Sequence, residues 1–214
     1  MKYKLIIFDW DGTLMDSIPK IVNCLKQAAL RVGVPEPKTG DAAAVIGLSL
    51  EVAIATLFPK HKAMWPELVT GYQASYKSNT TLEPAMFKGT AELLMELRTQ
   101  GMLLAVATGK SRRGLDRVLK ESGLSQYFIT SRTADEASSK PAPDMLEQIL
   151  SELGIAASSA LMVGDSLLDM QMAKHAKVDA VAMSWGAADT LALSATNALT
   201  VCDDYDALRS TIFS

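Results

Sequence analysis

Lys4-Leu5-Ile6-Ile7-Phe8-Asp9-Trp10-Asp11-Gly12-Thr13 decides how this chain is read. The apolar run within Lys4 to Phe8 has no polar alternation, which suits a short strand buried on both faces, as in a parallel sheet. It ends in two carboxylates two residues apart, and the alternation of a strand turns Asp9 and Asp11 to a common side. Ligands of open α/β sheets bind at the carboxyl ends of the strands. Two like charges held together there need a shared proton or a cation between them, and oxygen donors favour Mg²⁺. A strand-ending turn built on Asp11-Gly12 would explain the same residues, so the reading needs support from elsewhere in the chain.

Working outward, further short apolar runs occur at Leu103 to Ala107, Tyr127 to Thr130, Ala160 to Val163, Ala180 to Met183 and Ala198 to Val201. Helical patterns lie between or after them at Gly89 to Gln100, Ser111 to Ser122, Pro143 to Leu153, Ser166 to Ala176 and Asp203 to Phe213. This alternation predicts βαβ units, hence a Rossmann-like α/β fold: an open, mainly parallel sheet with helices on both faces. Residues 17–82 break the rhythm with three helical patterns, Pro19 to Val32, Asp41 to Phe58 and Pro66 to Lys77, and no convincing strand. They are expected to form a small all-helical cap inserted into a core made of 1–16 and 83–214, with Asp16-Ser17 capping its first helix.

Three other strand ends carry chemistry. Ala107-Thr108-Gly109-Lys110-Ser111 offers a hydroxyl and an unobstructed amide before a helix, a natural anion site. Ser138-Ser139-Lys140-Pro141-Ala142-Pro143-Asp144 fixes Lys140 on a proline-rich turn, where an ammonium can neutralise a phosphate. Asp144 suits the first turn of the following helix. In Val163-Gly164-Asp165-Ser166-Leu167-Leu168-Asp169 the two aspartates are one helical turn apart and can reach one cation. Together the four strand ends supply an acidic pair, a hydroxyl, a lysine and a second acidic pair.

In that order the residues resemble the haloacid dehalogenase superfamily, whose signatures DxDGT, Ser/Thr, Lys and GDxxxD fall on Asp9 to Thr13, Thr108, Lys140 and Gly164 to Asp169. The resemblance covers essentially the whole chain and is similar in overall shape to phosphoglycolate-phosphatase-like members with a helical C1-type cap. It implies a Mg²⁺-dependent phosphatase acting on a small phosphorylated metabolite through an aspartyl-phosphate. Asp9 would be the nucleophile and Asp11 the acid and base. Thr108 and Lys140, with backbone amides around Trp10, Gly12 and Gly109, would hold the phosphoryl oxygens. Asp9, the Asp11 carbonyl, Asp165 and Asp169 would surround the metal. Dehalogenase members lack an aspartate where Asp11 stands, so its presence implies phosphoryl transfer. Related chemistry leaves a β-phosphoglucomutase-like phosphomutase or a pyrophosphatase as alternatives, and a mutase would give isomer with little free phosphate. A phospho-acceptor binding module is remote, because no acidic residue follows the Leu103 to Ala107 strand directly.

Members with such a cap often carry a basic residue just before a glycine like Gly47, whereas this chain has Ala43-Ala44-Val45-Ile46-Gly47. Lys20 or the Lys60 to Lys62 region is the suggested substitute.

Composition removes other classes. The 214 residues carry 21 basic and 24 acidic side chains, for a net charge of −3, which argues against a nucleic-acid partner held by counterion release. With 49% apolar and 21% charged residues the chain can bury a sizeable core. Residues 17–82 hold seven bases and four acids, so the helical part is mildly basic and the remainder acidic. Two cysteines, Cys24 and Cys202, suggest reduced core thiols rather than a disulfide framework. The run after Lys4 is too short for a signal peptide, and no stretch reaches the length of a membrane span. The expectation is a cytoplasmic monomer or small homo-oligomer with no membrane partner.

Overall fold

All four residues of β1 (Leu5–Phe8) are buried, and they divide between two cores. Leu5 and Ile7 face one apolar cluster, while Ile6 and Phe8 face the other. That division is the packing consequence of a strand with apolar residues on both faces, and it places β1 inside the sheet. The computed structural model describes residues 2–214.

Around β1 a six-stranded sheet is completed by β4 (Leu103–Thr108), β5 (Thr130–Thr133), β6 (Ala160–Gly164), β7 (Asp179–Met183) and β8 (Val201–Cys202). Its order is β5-β4-β1-β6-β7-β8, and every pairing is parallel. Helices α5 (Thr90–Thr99), α6 (Arg112–Ser122) and α10 (Tyr205–Phe213) bury Leu93, Leu97, Leu115, Val118 and Leu208 on one face. On the other, α7 (Asp144–Leu153), α8 (Leu167–His175) and α9 (Thr190–Ser194) bury Leu146, Ile149, Met170, Met172 and Leu193. Adjacent β1 and β4 on one side, and β1 and β6 on the other, bring Asp9, Thr108 and Asp165 to one edge.

Between β1 and the rest of the sheet the chain leaves through β2 (Met15–Asp16), which pairs antiparallel with β3 (Ala85–Met86). This two-stranded ribbon brackets α1 (Ile18–Val32), α2 (Thr39–Ala44), α3 (Leu50–Leu57) and α4 (Trp65–Ser78). The four helices have an apolar cluster of their own, with Leu25, Ala28, Ile54 and Leu68 buried in it. Gly71 on α4 comes close to Ala28 on α1, so the two longest helices pack at short range.

Several elements depart from expectation. Asp41 to Phe58 forms two helices, because Gly47 takes φ +103, a left-handed conformation that interrupts any helix and opens a loop. Tyr127 to Thr130 is not a strand: Tyr127 and Phe128 pack on the core from a tight turn, and pairing begins only at Thr130. Pairing at the opposite edge similarly starts at Val201, after the expected Ala198. Ser17 stands at the N-cap of α1 but makes no side-chain cap, since its hydroxyl donates to the Asp11 carboxylate. Both cysteines are buried and free. No helix among the described residues is long and apolar enough to cross a membrane.

Candidate active site

Asp9 follows β1 directly and is only 2% exposed. Its Oδ1 lies 2.9 Å from Lys140 Nζ, yet the contact is not aligned for a hydrogen bond. Burial, with Asp169 and Asp11 adding repulsion against the attraction of Lys140, pushes the Asp9 carboxyl up to about 7. Asp165 follows β6 directly and is raised well above the usual carboxylate range by burial and by its Asp169 and Asp9 neighbours. Thr13 Oγ1 donates to Asp165 Oδ1 at 2.6 Å and the Ala187 amide to Oδ2 at 2.7 Å, which fixes the plane of that carboxylate.

Lys140 is fully buried between Asp9 and Asp169, the latter at 2.7 Å. Burial alone would lower its ammonium, but Asp169 and Asp9 outweigh that and raise it. The second oxygen of Asp169 accepts from the amides of Asp165 and Ser166 and from the Ser166 hydroxyl. Ser166 in turn caps α8 through the Asp169 amide, a capping box that holds Asp169 in the first helical turn. Asp169 therefore anchors Lys140 and the β6–α8 turn.

Oxygen atoms of Asp9, Asp165 and Asp169 all lie within 4.8 Å of one another. Three buried carboxylates opposed directly by one ammonium leave uncompensated negative charge in a desolvated place, which favours a bound cation. The all-oxygen donor set suits Mg²⁺. The Asp11 carboxylate does not join this cluster. Lys110 Nζ contacts its Oδ1 at 2.7 Å, and the Ser17 hydroxyl donates to the same atom. Asp11 can still contribute a main-chain donor, because its carbonyl accepts no backbone hydrogen bond.

Thr108 is buried at the end of β4. The amides of Trp10 and Gly109 take no part in the backbone hydrogen bonds of their turns. Gly12 differs: its amide donates to the Met15 carbonyl at 2.8 Å, so it is not free to hold a phosphate. What residue 12 supplies is clearance, since a Cβ there would come 2.2 Å from Asp165 Oδ2. The Trp10 ring packs away into the core, with Phe128 at 6.3 Å.

Lys110, Ser17 and Thr13 are the site residues that motif reading passed over. Lys110 and Thr13 stand inside quoted motifs, and their side-chain roles arise only from the fold. Lys20, suggested as a substitute cation, is buried 3.7 Å from Glu83 and 4.8 Å from the Tyr76 ring centre, beside the site. Lys60 and Lys62 are exposed and do not line it.

The helical segment lies over these strand ends. Gly109 meets the main chain of Gly47 and Leu48 so tightly that a Cβ on it would fall 2.4 Å from the Gly47 carbonyl oxygen. The Ser49 amide donates to Ser139 Oγ at 2.9 Å, one residue before Lys140. Between α1, α3 and α4 on one side and α6 on the other remains a cleft of about 790 Å³ that reaches Asp11, Gly109 and Lys110.

Residues 6–183 match the family described as haloacid dehalogenase-like hydrolase. The chain is 30% identical over 212 residues to the tyrosine-protein kinase PtkA of Mycobacterium tuberculosis, spanning 98% of this chain and 72% of that one. It is also 30% identical over 192 residues to the phosphoglycolate phosphatase of Vibrio cholerae, spanning 86% and 85%. A solved hydrolase structure from Pseudomonas syringae superimposes with a TM-score of 0.88 at 25% identity, covering 98% of each chain.

Proposed function

This chain belongs to the haloacid dehalogenase-like hydrolase family and is a phosphatase, and from that premise we propose that it hydrolyses a small phosphomonoester through an aspartyl-phosphate on Asp9, with Mg²⁺ as cofactor. The observation that carries the reading is the placement of Asp9, a buried carboxylate beside Lys140 and within 4.8 Å of two further carboxylates. Asp9, Asp165 and the Asp11 carbonyl would hold the metal, with Asp169 steadying the arrangement. Bound there, Mg²⁺ supplies positive charge that screens the nucleophile from the phosphoryl oxygens.

Each remaining step falls to a residue of the chain. An Asp9 oxygen attacks phosphorus while the bond from phosphorus to the substrate alcohol breaks. Protonated Asp11 gives its proton to the leaving oxygen. The resulting Asp11 carboxylate then takes a proton from water as that water attacks phosphorus, the bond to Asp9 breaks, and phosphate forms. Lys140, the Thr108 hydroxyl and the Trp10 and Gly109 amides oppose the charge on the equatorial oxygens. Residues 17–82 serve as a cap that shields the reacting atoms, a role supported by the contact of Gly47 with Gly109. Phosphoglycolate is the substrate of the named Vibrio relative and a natural first ester to assay.

The experiment is release of inorganic phosphate from p-nitrophenyl phosphate with Mg²⁺. Wild-type protein turns over, and Asp9→Asn, with unchanged circular dichroism, does not. Full activity in that variant would refute the assignment of the nucleophile.

A further inference from the structure

The Asp165 carboxylate is held by two donors from distant parts of the chain, the Thr13 hydroxyl on Oδ1 and the Ala187 amide on Oδ2. It is buried beside Asp9 and Asp169, whose charges oppose its own. What keeps it pointing into the carboxylate cluster is therefore whatever fixes its two donors.

Both donors lead back to one residue, Tyr205, the first of α10. Its hydroxyl donates to the Thr13 carbonyl at 3.2 Å, and among the described residues no main-chain amide reaches that carbonyl. Thr13 is fully buried, so this hydroxyl satisfies an acceptor that lies away from water. Thr90 Oγ1, 2.8 Å from the same hydroxyl, ties it to the start of α5. Burial pushes the Tyr205 hydroxyl up to about 12, so it remains a donor at neutral pH.

The second donor depends on the Tyr205 ring. Trp185, two residues before Ala187, packs edge-on against that ring with centres 5.0 Å apart, and Phe87 packs on Trp185 at 4.9 Å. The buried Trp185 Nε1 has no hydrogen-bond partner among the described residues, so packing alone holds the indole. From there the chain runs onto Asp165 with no slack. A Cβ on Gly186 would fall 2.1 Å from Asp165 Cβ and Oδ2, and the Ala188 amide donates to the Asp165 carbonyl at 3.2 Å. A shift of Trp185 is passed to the carboxylate by main chain.

Resting on the Mg²⁺ reading above, we propose that Tyr205 and Trp185 are positioning residues for Asp165. The Tyr205 hydroxyl sets the Thr13 arm, the contact between the two rings sets the Ala187 arm, and together they set the affinity of the carboxylate cluster for its cation. Neither residue belongs to that cluster.

Isothermal calorimetry with Mg²⁺ alone tests this. Losing an outer partner of a ligand typically weakens metal binding by about 10- to 100-fold, so Tyr205→Phe, which removes the hydroxyl and keeps the ring, is expected to raise the Mg²⁺ Kd about tenfold. Trp185→Leu is expected to do the same through the other arm, and Trp185→Phe, which retains an aromatic ring, to lose less. Far-UV circular dichroism checks that each variant folds, and the two arms supply independent variants should one of them not. Leu208→Ala, buried on α10 in the same core, is the comparator: it lowers Tm and leaves the Kd unchanged. In a Thr13→Val background Tyr205→Phe adds no further loss, because that arm is already cut. A Kd unmoved by Tyr205→Phe or by Trp185→Leu, or raised as much by Leu208→Ala, would overturn the proposal. Where wild-type protein binds Mg²⁺ and Asp165→Asn does not, such a result strikes the positioning role alone. Wild-type protein that binds no Mg²⁺, or Asp165→Asn that binds equally well, refutes the metal reading and the proposal with it.

Discussion

Lys110 Nζ and the Ser17 hydroxyl both bind Oδ1 of Asp11, one from the turn after β4 and the other from the start of α1. Core and helical segment thus meet on one oxygen of the residue proposed to protonate the leaving group, and its orientation depends on both.

Lys110→Met should therefore weaken the protonation step rather than substrate binding. We expect kcat on an alkyl ester such as ethyl phosphate to fall by about 10²-fold, the lower end of what a positioned acid contributes. The fall on p-nitrophenyl phosphate should be much smaller, because nitrophenolate leaves without help. Equal losses on both esters in steady-state assays would show that Lys110 does not act through Asp11.

Removing the buried ammonium has a different signature. Lys140→Met strips Asp9 and Asp169 of their contacts at 2.9 and 2.7 Å. Breaking a buried ion pair from one side typically costs about 3–5 kcal/mol. The variant should unfold at lower urea in EDTA, and added Mg²⁺ should recover part of the loss by compensating the same carboxylates. Urea titrations with and without Mg²⁺ measure both effects.

The Asp9 carboxyl, raised by burial to about 7, makes metal-free stability depend on pH. Between roughly pH 4 and 7 the folded protein keeps a proton that the unfolded chain has released, so the folded state binds more protons. Stability from this source is complete at the acid end and is lost as pH rises through 7. Calorimetry in EDTA should show Tm falling from pH 5 to pH 8, with a shallower slope in Asp9→Asn. Mg²⁺ should raise Tm most at pH 8, where the ligands are ionised. A Tm that climbs over this range in EDTA would contradict the burial argument.

Gly109→Ala introduces a methyl group 2.4 Å from the Gly47 carbonyl oxygen, with Leu48 O at 2.6 Å. Both obstacles are main chain and cannot rotate aside, so the helical segment must shift. The expected result is KM raised about tenfold or more, with a global stability change within about 1–3 kcal/mol, the usual cost of overpacking. Unchanged KM would mean that the contact plays no part in enclosing substrate.

The strand ends that carry the proposed site were legible because their apolar runs are short, end abruptly in Asp or Thr, and sit in the middle of the sheet, where both faces demand apolar residues. β1, β4 and β6 begin or end within a residue of the runs that predict them. The edge strand β5 was not legible. Its sequence Thr-Ser-Arg-Thr carries no apolar pattern, because Arg132 is engaged with Gln148 and Glu152 on α7 instead of packing in a core. The apolar run just before it misleads, since Tyr127 and Phe128 fill the core from a turn while Ile129 is exposed. Lys110 and Ser17 stayed hidden for another reason. Either residue reads as an ordinary helix-start residue, and only the approach of α1 to the β4–α6 turn brings both to Asp11.

The contact between Gly47 and Gly109 has an evolutionary consequence. The clearance between Gly109 and the helical segment is set by main chain against main chain, so side-chain drift in that segment leaves it alone. Leu25, Leu50 and Arg113 lie along the cleft outside that contact. Substitutions there would leave Asp9, Lys140 and Asp165 where they stand, so a lineage could redraw the cleft without relearning the chemistry proposed for its strand ends.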